Sequence, residues 1–531
     1  MSLRGKDSES GNVKELFALR VEAGDTVLQS HLESAPSNAK YTSHRIQNEL
    51  ISICEDKLLS NIILDVTKSI GFSILAVETA DISGIEQLSV GVRFVHMTHE
   101  STVLREEFIG FTPLPDMSAT TIAEAILSKC RLSGLDLNKL LGQDYDGCST
   151  MSGMYNGVQA KVRQMHPKAA FVHCSSHRLN LVVNDLNQVP QIRNTIGVIK
   201  SIIVFFRESP QRRSKIPNIP LFCETRWSSK YKSIRVFFEN FDHVYRQLDA
   251  LSMNGSTSTS RLAYQLFCSA STSTFQFCMV IMSKYSALLE PVTQALQQVQ
   301  LDIRKVQIHV QTLIEIVKRH RNDTKYFRTD IYDKVVDLSE KLGIDIVFPR
   351  QCTRQQNRSN PGATDVEKCF RISIHHPYLD SLVTALESRF AESNNAQFNL
   401  FSLHPNKMAN LDRQQFKNEV DIIHQTYQIE NFVYEAINWY DFWSSNRASS
   451  RPISLDGEDI TDLLPKTEFY PAVRHALLIL LTLPVTTCTI ERSFSTLRRV
   501  KTWLRSTMAD DRLSSLCMMS VCVCMWFLWR F

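Results

Sequence analysis

Gly71-Phe-Ser-Ile-Leu-Ala-Val77-Glu-Thr-Ala-Asp81 is the stretch from which the architecture can be read. An apolar run, Phe72 to Val77, opens behind a glycine and closes on small polar and acidic residues, which reads as a strand. Next along the chain, Val90-Gly-Val-Arg-Phe-Val95 alternates with a period of two, and Leu104 to Phe111 is a third extended segment. A helix is predicted at about 118–132, with Ile122, Ala125, Ile126 and Lys129 in register. Leu137 to Gln143 is the fourth strand and ends at Asp144-Tyr-Asp146-Gly147. Val158, Val162 and Met165 mark a helix that Pro167 stops, and Ala169 to His173 is the fifth strand. Leu179, Val182, Val183 and Leu186 give one face of the next helix. The order is βββ-α-β-α-β, a mixed α/β core.

Before that core, residues 1–66 read as helical, and beyond about 216 the strand signals thin out. Val292, Leu296, Val299, Ile303, Val306, Val310, Leu313 and Val317 keep one face, which predicts a single long helix. The Ser/Thr stretches 256–260 and 271–274 read as loops or caps, and 351–363 as a polar loop. From Tyr470 come apolar helices and then a basic helix around Arg498, Arg499, Lys501 and Arg505. The domains expected are a helical segment 1–66, the first part of the core 67–215, a helical insertion 216–465, a return to the core 466–519, and an atypical apolar tail 520–531.

Composition narrows the function classes. Of 531 residues 43% are hydrophobic and 21% charged, so global disorder is excluded. The net charge of +4 is too small to name an acidic partner. The 13 cysteines are odd in number and show no repeated CxxC pair, which favours reduced thiols in the cytosol or nucleus. Met1 to Lys6 lacks the apolar core of a signal peptide, and the longest apolar stretch, Ala476 to Leu483, falls short of the roughly 20 residues of a membrane span. No phosphate loop, nucleophile elbow or kinase signature is present.

Four constellations bear chemistry. Asp146, just past a strand, Asp81, just past the first strand with Glu78 nearer to it, and Glu491, at a distant helix start, are carboxylates of the kind a two-metal phosphoryl-transfer site uses, with Mg²⁺ as the matching hard cation. Each residue alone also fits a turn or a helix first turn. Cys174-Ser-Ser-His177 would supply half of a zinc site, with Cys223 the nearest further cysteine; a buried thiol beside a hydrogen-bonded histidine is the plainer account. In Cys223-Glu-Thr-Arg226-Trp227 the last two residues suit stacking on a base, or burial of the indole in a core. Glu491, Arg498 and Arg505 share one face at seven-residue spacing, with Phe494, Leu497 and Leu504 as the apolar side, giving a phosphate-contacting or a merely solvated face.

Taken together in chain order, Phe72–Ser83, Gly142–Gly153, Cys174–Leu181, Glu224–Trp227 and Ile490-Glu-Arg-Ser-Phe-Ser495 resemble the hAT (hobo/Activator/Tam3) transposases. Within them the chain resembles the host-gene-like subgroup of zinc finger MYM-type protein 1-like and 52 kDa repressor-like proteins, over about residues 12–519. The resemblance implies an RNase H-like core split by a large all-helical insertion, with a C-terminal helical dimerisation region. It implies a DDE triad with Mg²⁺, of which Asp146 is the second member and Glu491 the third. Trp227, with Arg226 beside it as a further DNA-binding candidate, matches the base-stacking position, and Cys174 and His177 a structural CxxH signature.

Three departures follow. The subgroup's first strand ends Ala-Asp-Glu-Thr-Thr-Asp, so its first triad aspartate maps onto Val77, which cannot ligate a metal. Glu78 is expected on the opposite face, and Asp81 is the candidate substitute. The N-terminal zinc finger of the BED, THAP or related type is absent from this chain. After Met519 the text leaves the family pattern, as an altered frame or retained intron end would. The expectation is a domesticated, catalytically silent, self-associating nuclear factor, a homodimer or higher oligomer through its C-terminal helices, with residual DNA binding. The competing readings are an active DDE transposase using Mg²⁺, with Asp81 or Glu78 standing in for the missing aspartate, and a protein-interaction scaffold without DNA contact. No membrane association is expected, and the cytoplasm is the alternative compartment.

Overall fold

The computed structural model describes residues 12–36, 39–40, 43–98, 101–221, 227–296, 298, 303–349, 363, 365–390, 399–447 and 459–528. Among the described residues five strands form one sheet: β1 Phe72–Ala80, β2 Glu86–Met97, β3 Thr102–Leu114, β4 Leu140–Tyr145 and β5 Ala170–His173, in the order β3-β2-β1-β4-β5. β1 pairs antiparallel with β2 (Val77 opposite Ser89) and parallel with β4 (Leu75 beside Asp144). This mixed sheet and its helices are the α/β core the sequence predicts. A 3₁₀ turn, Leu137–Lys139, capped by Asp136, takes the start of the expected fourth strand, so β4 begins only at Leu140.

The chain divides into two compact units, residues 1–172 with 402–531, and 173–401. The sequence reading draws the helical insertion over 216–465; contacts draw a helical unit that takes in helix Ser175–Asp185, which packs against His376–Phe390. Past His173, every regular element described in that unit is helical. No single described helix is long and apolar enough to cross a membrane.

In the first unit, β1 contributes Phe72, Ile74, Leu75, Ala76 and Val77 to the core. Helix Ala119–Leu132, whose N-cap Ser118 accepts from Thr121 N, lays Ile122, Ile126 and Cys130 on it. The C-terminal residues Ile490, Phe494, Leu497, Leu513, Cys517 and Met518 complete the same core. Gly91 on β2 shows why they fit: a Cβ there would sit 2.8 Å from Glu107 O and collide with the Ile490 side chain. Arg93 of β2 pairs with Glu106 of β3 at 2.6 Å, both side chains under 5% exposed, and its Nε donates to Leu481 O. Glu106 also accepts from Thr489.

Two helical expectations change. The long helix over 292–317 is two helices, Ser273–Ala295 and Ile303–Asn322, because apolar spacing reports the buried face and not the continuity of the backbone. The basic helix breaks into Cys488–Glu491, Ser493–Val500 and a 3₁₀ turn, Trp503–Arg505. Lys501 leaves helical geometry (φ −97, ψ 98) as its ammonium turns inward to Asp81. Glu491, Arg498 and Arg505 therefore share no helical face, and Leu504, expected on the apolar side, is 98% exposed. Residues 351–362 of the expected loop lie outside the described residues.

Candidate functional site

β1 and β4 run parallel and carry their carboxylates to the same end of the sheet, past the strands' C-termini. Asp146 lies one residue past β4 and leaves the pleat in an Asx turn, its Oδ1 accepting from Cys148 N at 3.2 Å. That turn folds Cys148 back. Among the described residues, Glu78, Asp146 and Cys148 bring one ligand atom each within 4.8 Å of one another, a geometry that can hold a cation.

Glu78 is the acid that joins Asp146, one of the two stand-ins the sequence offers. Parity on the strand is respected, since Val77 and Glu78 do point to opposite faces. It is Val77, however, that enters the hydrophobic core, at 8% exposure, and Glu78 that faces Asp146. Its Oε2 is shielded from water and accepts no hydrogen bond. Burial, reinforced by the charge of Asp146, pushes the Glu78 carboxyl up to about 7. Burial and the hydrogen bond to Asp146 push the Cys148 thiol up to about 12. The signal available in the sequence was the Asp-Gly-Cys turn, which brings Cys148 back onto Asp146.

Asp81 is not in the group. Its Oδ1 accepts from Ser83 N and Ile85 N, and its Oδ2 from Lys501 Nζ at 2.6 Å, with both side chains at 1% exposure or less. Burial opposes the charge, but Lys501 and the backbone donors outweigh it and hold the carboxyl below its usual range. Asp81 thus serves as a structural clamp between the β1–β2 turn and the C-terminal region, and no substitute ligand.

Glu491 is also outside the group; its Oε1 accepts from Thr487 Oγ1 at 2.9 Å within its own helical turn. Arg498 and Arg499 are exposed, Arg499 donating to Thr496 Oγ1, and Arg505 is half-buried. Arg226 lies outside the described residues; Trp227 opens helix Trp227–Glu239, with its side chain outside the description. Cys174 is buried at the N-cap of helix Ser175–Asp185, and His177, in the first turn, stacks on His173 at 5.7 Å. These residues join no group of three potential metal ligands among the described residues.

The set does not fit a pair of magnesium ions. Such a pair needs hard oxygen ligands from several carboxylates. Here two carboxylates meet a soft thiol, and the position expected to hold the first aspartate is a buried valine.

Comparison with known proteins agrees with this architecture. Residues 4–157 match the family described as ZMYM1/FAM200, RNase-like domain, and residues 463–522 match the hAT family C-terminal dimerisation region. The latter match runs three residues past Met519, where the family-like text was expected to stop. The human 52 kDa repressor of the inhibitor of the protein kinase (Homo sapiens) is 23% identical over 96% of this chain and 69% of its own length. The mouse protein of the same name (Mus musculus) is 24% identical over 96% and 70%. The chain thus joins an RNase-like domain of the ZMYM1/FAM200 type to an hAT family C-terminal dimerisation region.

Proposed function

We propose that this chain is a catalytically silent, hAT-derived nuclear factor that self-associates and retains contact with DNA through exposed cations such as Arg498 and Arg499. The observation that carries the silence is the occupant of the first triad position. Val77 is packed in the core, and Glu78, the acid that does reach Asp146, arrives with a thiol and without Glu491. The dimerisation-region match supports self-association. A regulatory role accords with the word repressor in the relatives' names. Imaging a tagged chain in cells reads the compartment.

The test is nicking of supercoiled plasmid in Mg²⁺ or Mn²⁺ by the purified chain, by Asp146→Ala and by Glu78→Gln. No metal-dependent nicking is expected from any of them. One observation favours a second reading, an active transposase: Glu78 lies within ligand distance of Asp146. Nicking by the wild type that both substitutions abolish establishes that reading and removes the first.

A further inference from the structure

Self-association needs a surface, and the fold removes most of the candidates. Residues 463–522 are the dimerisation region by family match, yet their apolar side chains are largely consumed within the chain. Leu477, Leu480, Leu481, Ile490, Leu513 and Met518 are each at most 3% exposed. Surface already buried in the chain's own core is not available to a partner. Among the described residues of this region, three large hydrophobic side chains remain exposed: Phe469 at 85%, Trp503 at 77% and Leu504 at 98%.

Two of the three are neighbours on the 3₁₀ turn Trp503–Arg505, and that turn is braced on both sides. Before it, buried Lys501 is clamped by Asp81 at 2.6 Å. After it, Ser506 O accepts from Ser83 Oγ at 2.9 Å. Within it, Arg505 N donates to Thr502 O at 2.8 Å. An indole and an isobutyl group are thus held out in water by a backbone pinned to the β1–β2 turn. A pre-ordered turn loses little freedom on binding, and tryptophan is the residue type most enriched at interface hot spots.

We propose that the Trp503–Leu504 turn is the self-association contact of this chain and that its occupant is a second copy, the two turns meeting about a two-fold axis so that the same patch serves both partners. The assignment rests on the self-association reading above and deepens it to named residues.

The experiment measures the mass of the full chain by light scattering across a concentration series. Wild type, Trp503→Ser/Leu504→Ser and Phe469→Ser are compared. The expected result is a dimer for wild type and Phe469→Ser and a monomer for the double variant at the same concentrations. Because both replaced side chains are exposed, the double variant should keep the wild-type circular dichroism spectrum and melting temperature. If it does not, hydroxyl-radical footprinting of wild type replaces it, and Trp503 must be protected in the dimer relative to the diluted monomer. A wild type that is monomeric throughout overturns self-association itself. A dimer that survives in a folded double variant, or an unprotected Trp503, leaves self-association standing and overturns the turn as its contact.

Discussion

Glu78 carries the pH behaviour of the candidate site. It titrates near 4.5 in the unfolded chain and is pushed up to about 7 in the fold. Between those values the folded chain keeps a proton that the unfolded chain gives up, so the stability it contributes is complete below about 4.5 and is lost as pH rises through about 7. Glu78→Gln removes the charge while keeping the shape. It should stabilise the protein at pH 8 by about 1–2 kcal/mol, after allowance for partial solvation, with no difference at pH 4, as read by calorimetry at the two pH values. At this scale the sequence was partly legible. Asp146 stands out because a strand ends in Asp-Gly. Glu78 and Asp81 were both open as its partner, and the choice between them was hidden, because the face of β1 that meets Asp146 depends on which face the rest of the chain buries. Asp81 looked like a free acid for the same reason: its partner, Lys501, is 420 residues away.

For whole elements, the apolar pattern located the five strands and the two longer helices between them, since a strand or an amphipathic helix announces its buried face locally, but not the short turn of helix Ser149–Ser152. It failed where a side chain from afar sets the backbone. Lys501 ends a helix because its ammonium is drawn to Asp81, and the periodic arginines on either side gave no warning. Gly91 is a second such place. It reads as one more small residue in a strand, yet it is the seat of Ile490. Gly91→Ala should force Ile490 and the Cys488–Glu491 turn off the sheet and lower stability by about 1–3 kcal/mol, measurable by urea denaturation, whereas alanine would normally favour a strand over glycine.

The whole molecule has two cores in one chain. One is the sheet with its N-terminal and C-terminal helices; the other is the helical unit, with buried Phe277, Tyr285 and Phe370 among its centre. A chain of this kind should not unfold in a single step. Calorimetry is expected to resolve two transitions. Arg93→Met leaves Glu106 buried without its cation and should lower one of them, that of the sheet unit, by the equivalent of about 3–5 kcal/mol while leaving the other in place. A single transition that moves as a whole would refute the division. Sequence reading anticipated a helical insertion within an α/β core. Its edges were not legible, because an edge is set by which helices pack together, and helix Ser175–Asp185 carries no mark that its partner is His376–Phe390.

The buried Asp81–Lys501 clamp also bears on how the protein is made. Its two halves leave the ribosome some four hundred residues apart, and Ile490, Phe494 and Leu513, which cover the sheet, emerge at the same late stage. The first strands must therefore wait, with one apolar surface uncovered, through the synthesis of the entire helical unit. At bacterial to eukaryotic elongation speeds of about 5–20 residues per second, that interval lasts on the order of tens of seconds. During it the nascent sheet is a natural client for chaperones, and a message truncated anywhere before the codon for Lys501 yields a product that never closes.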